Sequence, residues 1–270
     1  MTQISHIRRG AGSPIVLVHG LGSRWQIFAP VIDLLAERHE VIALDLPGFG
    51  DTPTLPGVLP GVLPGPRGYA DWMAQWLGDN GIRRPHVVGS SMGGGIALEL
   101  GRSGVAAAVT AFSPVGFYGG PGLRWVQGSL TAMRAVARFA GPALDKAVDF
   151  PAGRAALLSV MFGHPTRVTP DAARVDLAGL AGASSFAAAR DDFATYVLDA
   201  SDDPGALTGI PVTIAWGTRD VVLTHRTQSA RARAVLPFAR HTDLPGCGHL
   251  PFSDAPELCV RTILDNRSAP

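Results

Sequence analysis

Short apolar runs alternate along the chain with longer stretches in which apolar positions recur every three or four residues. The runs at 15–18, 40–45, 86–88, 106–112 and 212–216 read as strands, as does the more polar segment 239–244, and 4–8 reads as a short edge strand. Between them, residues 26–38, 94–100, 227–236 and 257–266 read as helices. Tyr69, Trp72, Met73, Trp76 and Leu77 fall at i, i+3, i+4, i+7 and i+8, an amphipathic helix that stops at Asn80-Gly81. Strands and helices in strict alternation predict a mostly parallel sheet covered by helices on both faces.

The rhythm breaks once. From Phe117 to Pro204 the pattern is helical throughout, with Val126, Leu130, Met133, Val136 and Ala140 on one face and further helices at 155–161, 171–180 and 185–200. The chain therefore divides into an α/β core, residues 1–116 and 205–270, and an all-helical insertion, residues 117–204. Residues 55–66 read LPGV-LPGV-LPGP, where proline and glycine forbid a helix or a central strand. This is a low-complexity loop, which either overhangs the ligand crevice or is a neutral repeat expansion.

Composition narrows the classes. Of 270 residues 46% are hydrophobic and 17% charged, enough for a large core and unlike a disordered chain. A net charge of +1, spread along the chain, argues against nucleic acid or an anionic membrane as partner. The first nine residues lack the apolar core of a secretory signal and no apolar run is long enough to span a bilayer, so a soluble, cytoplasmic protein is expected. Cys247 and Cys259 suggest no disulfide framework, and Cys247 reads as a small buried thiol. Neither a metal-ligand cluster nor a dinucleotide fingerprint occurs, so no metal and no cofactor are expected.

Gly89-Ser90-Ser91-Met92-Gly93 matches G-x-S-x-G, between the strand at 86–88 and the helix at 94–100. Such a turn exposes the serine hydroxyl, and glycine on either side avoids a collision between strand and helix. Ser91 is thus a candidate nucleophile. It needs a base, and among eight histidines His249 is best placed, in the glycine-rich loop after the last predicted strand. The base needs a carboxylate. Asp220 follows the preceding strand, whereas residues 113–122, the other suitable loop, contain no acid. The alternative role for Asp220 is to cap the next helix. Two backbone donors must receive the oxyanion: Met92, just after the serine, and Leu21, in the turn His19-Gly20-Leu21-Gly22.

Serine, acid and histidine in this chain order, with His19–Gly22, the run Asp45-Leu46-Pro47-Gly48-Phe49-Gly50, Gly217–Asp220 and Gly248-His249, resemble the α/β-hydrolase superfamily over essentially the whole chain. The resemblance implies an α/β-hydrolase fold with residues 117–204 as a helical cap over the site. The short N-terminus implies about seven strands rather than eight, and Asp45 corresponds to a structural loop aspartate. A serine at position 91 speaks against the dehalogenases and epoxide hydrolases of the superfamily, which place an aspartate there. Hydrolysis of a carboxylic ester, by a carboxylesterase-like enzyme acting on apolar acyl or aromatic esters, is the leading expectation. The runner-up is C–C bond hydrolysis of the meta-cleavage-product type, with Arg190 as candidate for the substrate carboxylate; the tryptophan expected near His249 in that group is missing from Leu250-Pro251-Phe252. Cofactor-free perhydrolysis and a non-enzymatic ligand receptor are the further alternatives.

Overall fold

The computed structural model describes residues 4–54, 64–139 and 141–266; most of the tandem LPGV segment falls outside them. The chain opens with strands β1 (His6–Arg9) and β2 (Pro14–Val18), helix α1 (Ala29–Ala36) and strand β3 (Glu40–Leu44). Helix α2 (Pro66–Asp79), strand β4 (His86–Ser90), helix α3 (Met92–Arg102) and strand β5 (Ala108–Phe112) follow. Five helices come next: α4 (Gly120–Phe139), α5 (Gly141–Ala147), α6 (Pro151–Leu158), α7 (Pro170–Gly182) and α8 (Phe186–Asp192). Strand β6 (Val212–Gly217), helix α9 (Ala230–Val235), strand β7 (Arg240–Leu244) and helix α10 (Pro256–Leu264) complete the fold.

The seven strands form one sheet in the order β1-β3-β2-β4-β5-β6-β7, parallel except for β1, which runs antiparallel to β3. Successive side chains of a strand point to opposite faces, and the core divides accordingly. Val16, Val18, Val87, Val109 and Trp216 pack with Met73 of α2 and Ile96 of α3. Ile15, Leu17, Val88, Phe112 and Ala215 face the other way, onto Val31 and Leu35 of α1 and Ile263 of α10. Strand order reverses between β2 and β4, so the loops leaving their carboxyl ends diverge and open a crevice there, the usual place for a ligand in such a sheet.

The helices between β5 and β6 rest on this core through both faces: Val126, Phe186 and Phe193 join one cluster, Leu158, Phe162 and Ala173 the other. Tyr118 ties the segment together, its hydroxyl donating to the carbonyls of Phe193 (2.8 Å) and Tyr196 (3.0 Å). Local differences from the expected pattern have simple causes. The helix expected over 26–38 is a 3-10 turn (Trp25–Phe28) followed by α1, because Pro30 has no N–H with which to continue a helix begun earlier. Along α4, Val126 and Leu130 are buried as expected, but Val136 is 50% exposed, since the end of that stripe faces a cavity instead of packed side chains. Ala140 lies outside the described residues. Among the described residues no helix is long and apolar enough to cross a membrane.

Candidate active site

Ser91 lies between β4 and α3 with φ 57° and ψ −117°, a conformation that side chains strongly disfavour. Its surroundings hold it there through the backbone. The Ser91 N–H donates to Phe112 O (2.9 Å), and its carbonyl accepts from Gly95 N–H (3.2 Å) and Val115 N–H (3.1 Å). The flanking glycines are required sterically: a Cβ on Gly89 would stand 2.0 Å from Gly93 O, and one on Gly93 2.0 Å from Val18 O. On the facing loop, a Cβ on Gly20 would come within 2.9 Å of Ser91 Cβ. The loop leaving β2 therefore sits directly on the serine.

That loop is pinned by His19, which is fully buried. A backbone N–H can only donate, so the 2.9 Å contact from Leu46 N–H makes His19 Nε2 an acceptor and puts the ring proton on Nδ1, which donates to Gly20 O (2.8 Å). Burial lowers the pKa of this ring and keeps it neutral. His19 thus couples the β2 and β3 loops. Asp45, also fully buried, accepts from the N–H groups of Trp25 (2.8 Å) and Asp51 (2.9 Å) and serves the same two loops. Leu21 follows Gly20, and Met92 opens α3, where first-turn N–H groups have no helical acceptor and the dipole is positive. Neither the Leu21 nor the Met92 N–H meets a protein acceptor among the described residues.

Asp220 and His249, both buried, are joined by a 2.8 Å hydrogen bond between Asp220 Oδ2 and His249 Nδ1. The other carboxylate oxygen, Oδ1, accepts from Val222 N–H and Leu223 N–H, each at 2.9 Å. The carboxylate is thereby fixed in orientation, the imidazole proton lies on Nδ1, and Nε2 carries the lone pair of a base. The loops bearing the two residues interlock, because a Cβ on Gly217 would stand 2.1 Å from Gly248 O. Ser91, Asp220 and His249 all lie beyond carboxyl ends of parallel strands, those of β4, β6 and β7. Leu21 and Leu250, chain neighbours of Gly20 and His249, line one cavity.

Asp254 is a residue that sequence reasoning missed. Buried five residues after His249, it accepts at Oδ2 from Gly248 N–H and Gly163 N–H (2.8 Å each) and at Oδ1 from His164 N–H (2.7 Å). One carboxylate thus joins the histidine loop to the segment between α6 and α7. Its only signal in the sequence is an acid in an otherwise apolar and neutral stretch, Leu250–Pro256. An Asp254→Asn variant keeps one accepting oxygen for three donors and turns an N–H toward another. It should lose about 2–4 kcal/mol of stability, read as a lower urea midpoint; an unchanged midpoint would refute the clamp.

The cavity lined by Leu21 and Leu250 has a volume of about 290 Å³ and is closed by Leu130 and Met133 of α4, Leu158 of α6 and Leu180 of α7. A second, of about 460 Å³, lies between Ile27, Val168, Ala172 and Phe252, and the two share Phe162, Asp176 and Leu250. Arg190 is not brought to this place. Its guanidinium is occupied by Asp191 Oδ1 (2.9 Å from Nε, 2.7 Å from Nη2) and by Thr131 Oγ1 (2.8 Å), and it lines neither cavity. Cys247 is buried, which pushes its thiol up to about 11 and leaves little thiolate for a nucleophile. Among the described residues no group of three or more His, Cys, Asp or Glu is placed to hold a metal ion.

Comparison with known proteins agrees with this fold. Residues 15–262 match the model of the alpha/beta hydrolase family. An uncharacterized protein of Mycobacterium tuberculosis is 30% identical over 92% of this chain and 73% of its own length. Another curated relative is matched over only 30% of its length. A thermophilic esterase from Thermogutta terrifontis superimposes with a TM-score of 0.71 at 21% identity, covering 97% of this chain and 92% of the esterase. A meta-cleavage product hydrolase from Pseudomonas fluorescens IP01 does so at 0.73 and 18%, covering 97% and 93%. At these identities the two structures share the fold with this chain and nothing finer.

Proposed function

The chain belongs to the α/β-hydrolase family, and on that premise we propose that it is a serine esterase working through Ser91, His249 and Asp220. The observation that carries the reading is the His249–Asp220 pair, which leaves the imidazole Nε2 unprotonated on the carboxyl-end side of the sheet, the side on which Ser91 is held. In this reading Ser91 Oγ attacks the ester carbonyl as His249 Nε2 takes its proton. The N–H groups of Leu21 and Met92 receive the oxyanion, each worth ~2.7–4 kcal/mol to the transition state. Collapse expels the alcohol, which leaves with the proton from His249. Water, deprotonated by the same nitrogen, then releases the acid and restores Ser91.

Residues 117–204 act as a cap in this reading, and the apolar walls of the smaller cavity favour short- to medium-chain acyl or aromatic esters. A C–C bond hydrolase would want a free cation for its substrate carboxylate, and Arg190 is already paired. The test is turnover of p-nitrophenyl esters of graded chain length beside a dienoic diketo acid. Ester hydrolysis with an initial burst of p-nitrophenolate is expected, with Ser91 labelled by a fluorophosphonate. Cleavage of the diketo acid with negligible esterase activity would overturn the ester reading.

A further inference from the structure

Asp176 is the one ionisable side chain that lines both cavities, which share Leu250, the chain neighbour of His249; the smaller is otherwise walled almost wholly by aliphatic and aromatic groups. It projects from α7 between Ala173, which is fully buried, and Leu177 and Leu180, which face the smaller cavity. A leucine would fit that helical face as well as its neighbours do. The carboxyl makes no hydrogen bond or ion pair among the described residues. The nearest opposing charge is Arg24, whose guanidinium is held by Asp51 at 2.6 Å. Burial accordingly pushes the Asp176 carboxyl up to about 7. The residue as a whole is half-buried and lines both cavities.

A carboxyl left without a partner in an apolar cleft destabilises the fold unless something binds there. Such a group, in a cavity bounded by the loops that carry Leu21 and Leu250, is placed to recognise a ligand. We infer that Asp176 is the polar anchor of the substrate pocket, selecting esters that carry a hydrogen-bond donor, a hydroxyl or an amine, on an otherwise apolar chain. The inference rests on the esterase reading. The donor satisfies the carboxyl while the chain fills the space bounded by Leu130, Met133 and Leu158. A methyl-terminated chain of equal length leaves the carboxyl desolvated and unpaired, and a site built for a hydrogen bond rejects such an analogue strongly.

The experiment compares hydroxyl-, amino- and methyl-terminated esters of matched length, with the tail on the acyl or the alcohol side, on wild type, Asp176→Asn and Asp176→Leu. At the best length, wild-type kcat/KM should favour a donor over methyl by roughly ten- to hundredfold. Asp176→Leu should reverse that order. Asp176→Asn should keep a hydroxyl preference and lose any ammonium preference, and it gives the answer if the leucine variant does not fold. Equal donor-to-methyl ratios in all three proteins at every length would overturn the role of Asp176. Turnover of p-nitrophenyl acetate, which has no tail, is measured alongside. Its absence in wild type would count against the esterase reading, whereas its presence without donor selection would count against Asp176 alone.

Discussion

Replacing Ser91 with alanine should lower kcat for p-nitrophenyl esters about a millionfold, or about 8 kcal/mol of transition-state stabilisation. The hydroxyl oxygen forms the new bond in the proposed mechanism, and the other hydroxyl of the elbow, that of Ser90, is fully buried at the end of β4. A residual rate of roughly a thousandfold over water should persist, because the oxyanion donors belong to the backbone and survive the change. The variant should fold, since the hydrogen bonds that hold the elbow run through the Ser91 N–H and carbonyl and leave the hydroxyl out. Alanine at φ 57° keeps the backbone strain, whereas glycine relieves it. Ser91→Gly should therefore be inactive and about 1–3 kcal/mol more stable than Ser91→Ala. That inversion would show strain retained for the position of a hydroxyl. Ester turnover within about tenfold of wild type in either variant would sink the nucleophile assignment.

The parts of this protein that could be read from its sequence are those written in local chemistry. Apolar runs such as 15–18 and 86–88 gave strands because a strand covered on both faces needs apolar side chains on both. Gly89 and Gly93 were readable because only glycine tolerates carbonyls at 2.0 Å. Asp220 could be singled out because it follows a strand predicted from such a run, and His249 because it stands in a glycine-rich loop after the last predicted strand. Other features depend on which segments meet in space. Asp254 bonds to Gly163 and His164, about ninety residues away in the chain, and nothing near Asp254 announces them. Asp176 looks like any acid in the middle of a helix until α4, α6 and the β2 loop close around it. Arg190 shows the converse: the partner that occupies its guanidinium, Asp191, is its immediate neighbour in the chain. The break at Pro30 is also local in origin, an imino acid inside the periodic run 26–38 at which the helix starts afresh.

Asp220→Asn should lower kcat about ten-thousandfold with little change in KM or in thermal midpoint. The argument turns on which end of the amide can face His249. Oδ1 of Asp220 already accepts two backbone N–H groups, from Val222 and Leu223, at 2.9 Å each. Turning the amide nitrogen toward those donors would leave three buried N–H groups facing one another, at a cost of about 1–3 kcal/mol for each one unsatisfied. The asparagine oxygen therefore stays on that side and the NH2 faces His249 Nδ1, across the 2.8 Å contact. An NH2 can only donate, so Nδ1 must accept and the ring proton moves to Nε2. The imidazole then presents a proton where it must receive one, and Ser91 loses its base although every heavy atom stays in place. Asp220→Ala would free the ring to turn as well and tests a different loss. Steady-state kinetics with a p-nitrophenyl ester, set beside a thermal melt, separate the outcomes. Inactivity with a normal melt supports the tautomer argument. Near-normal activity would mean that another carboxylate orients His249, and inactivity with a melt lowered by many degrees would mean that Asp220 serves chiefly to hold the turn at Val222 and Leu223.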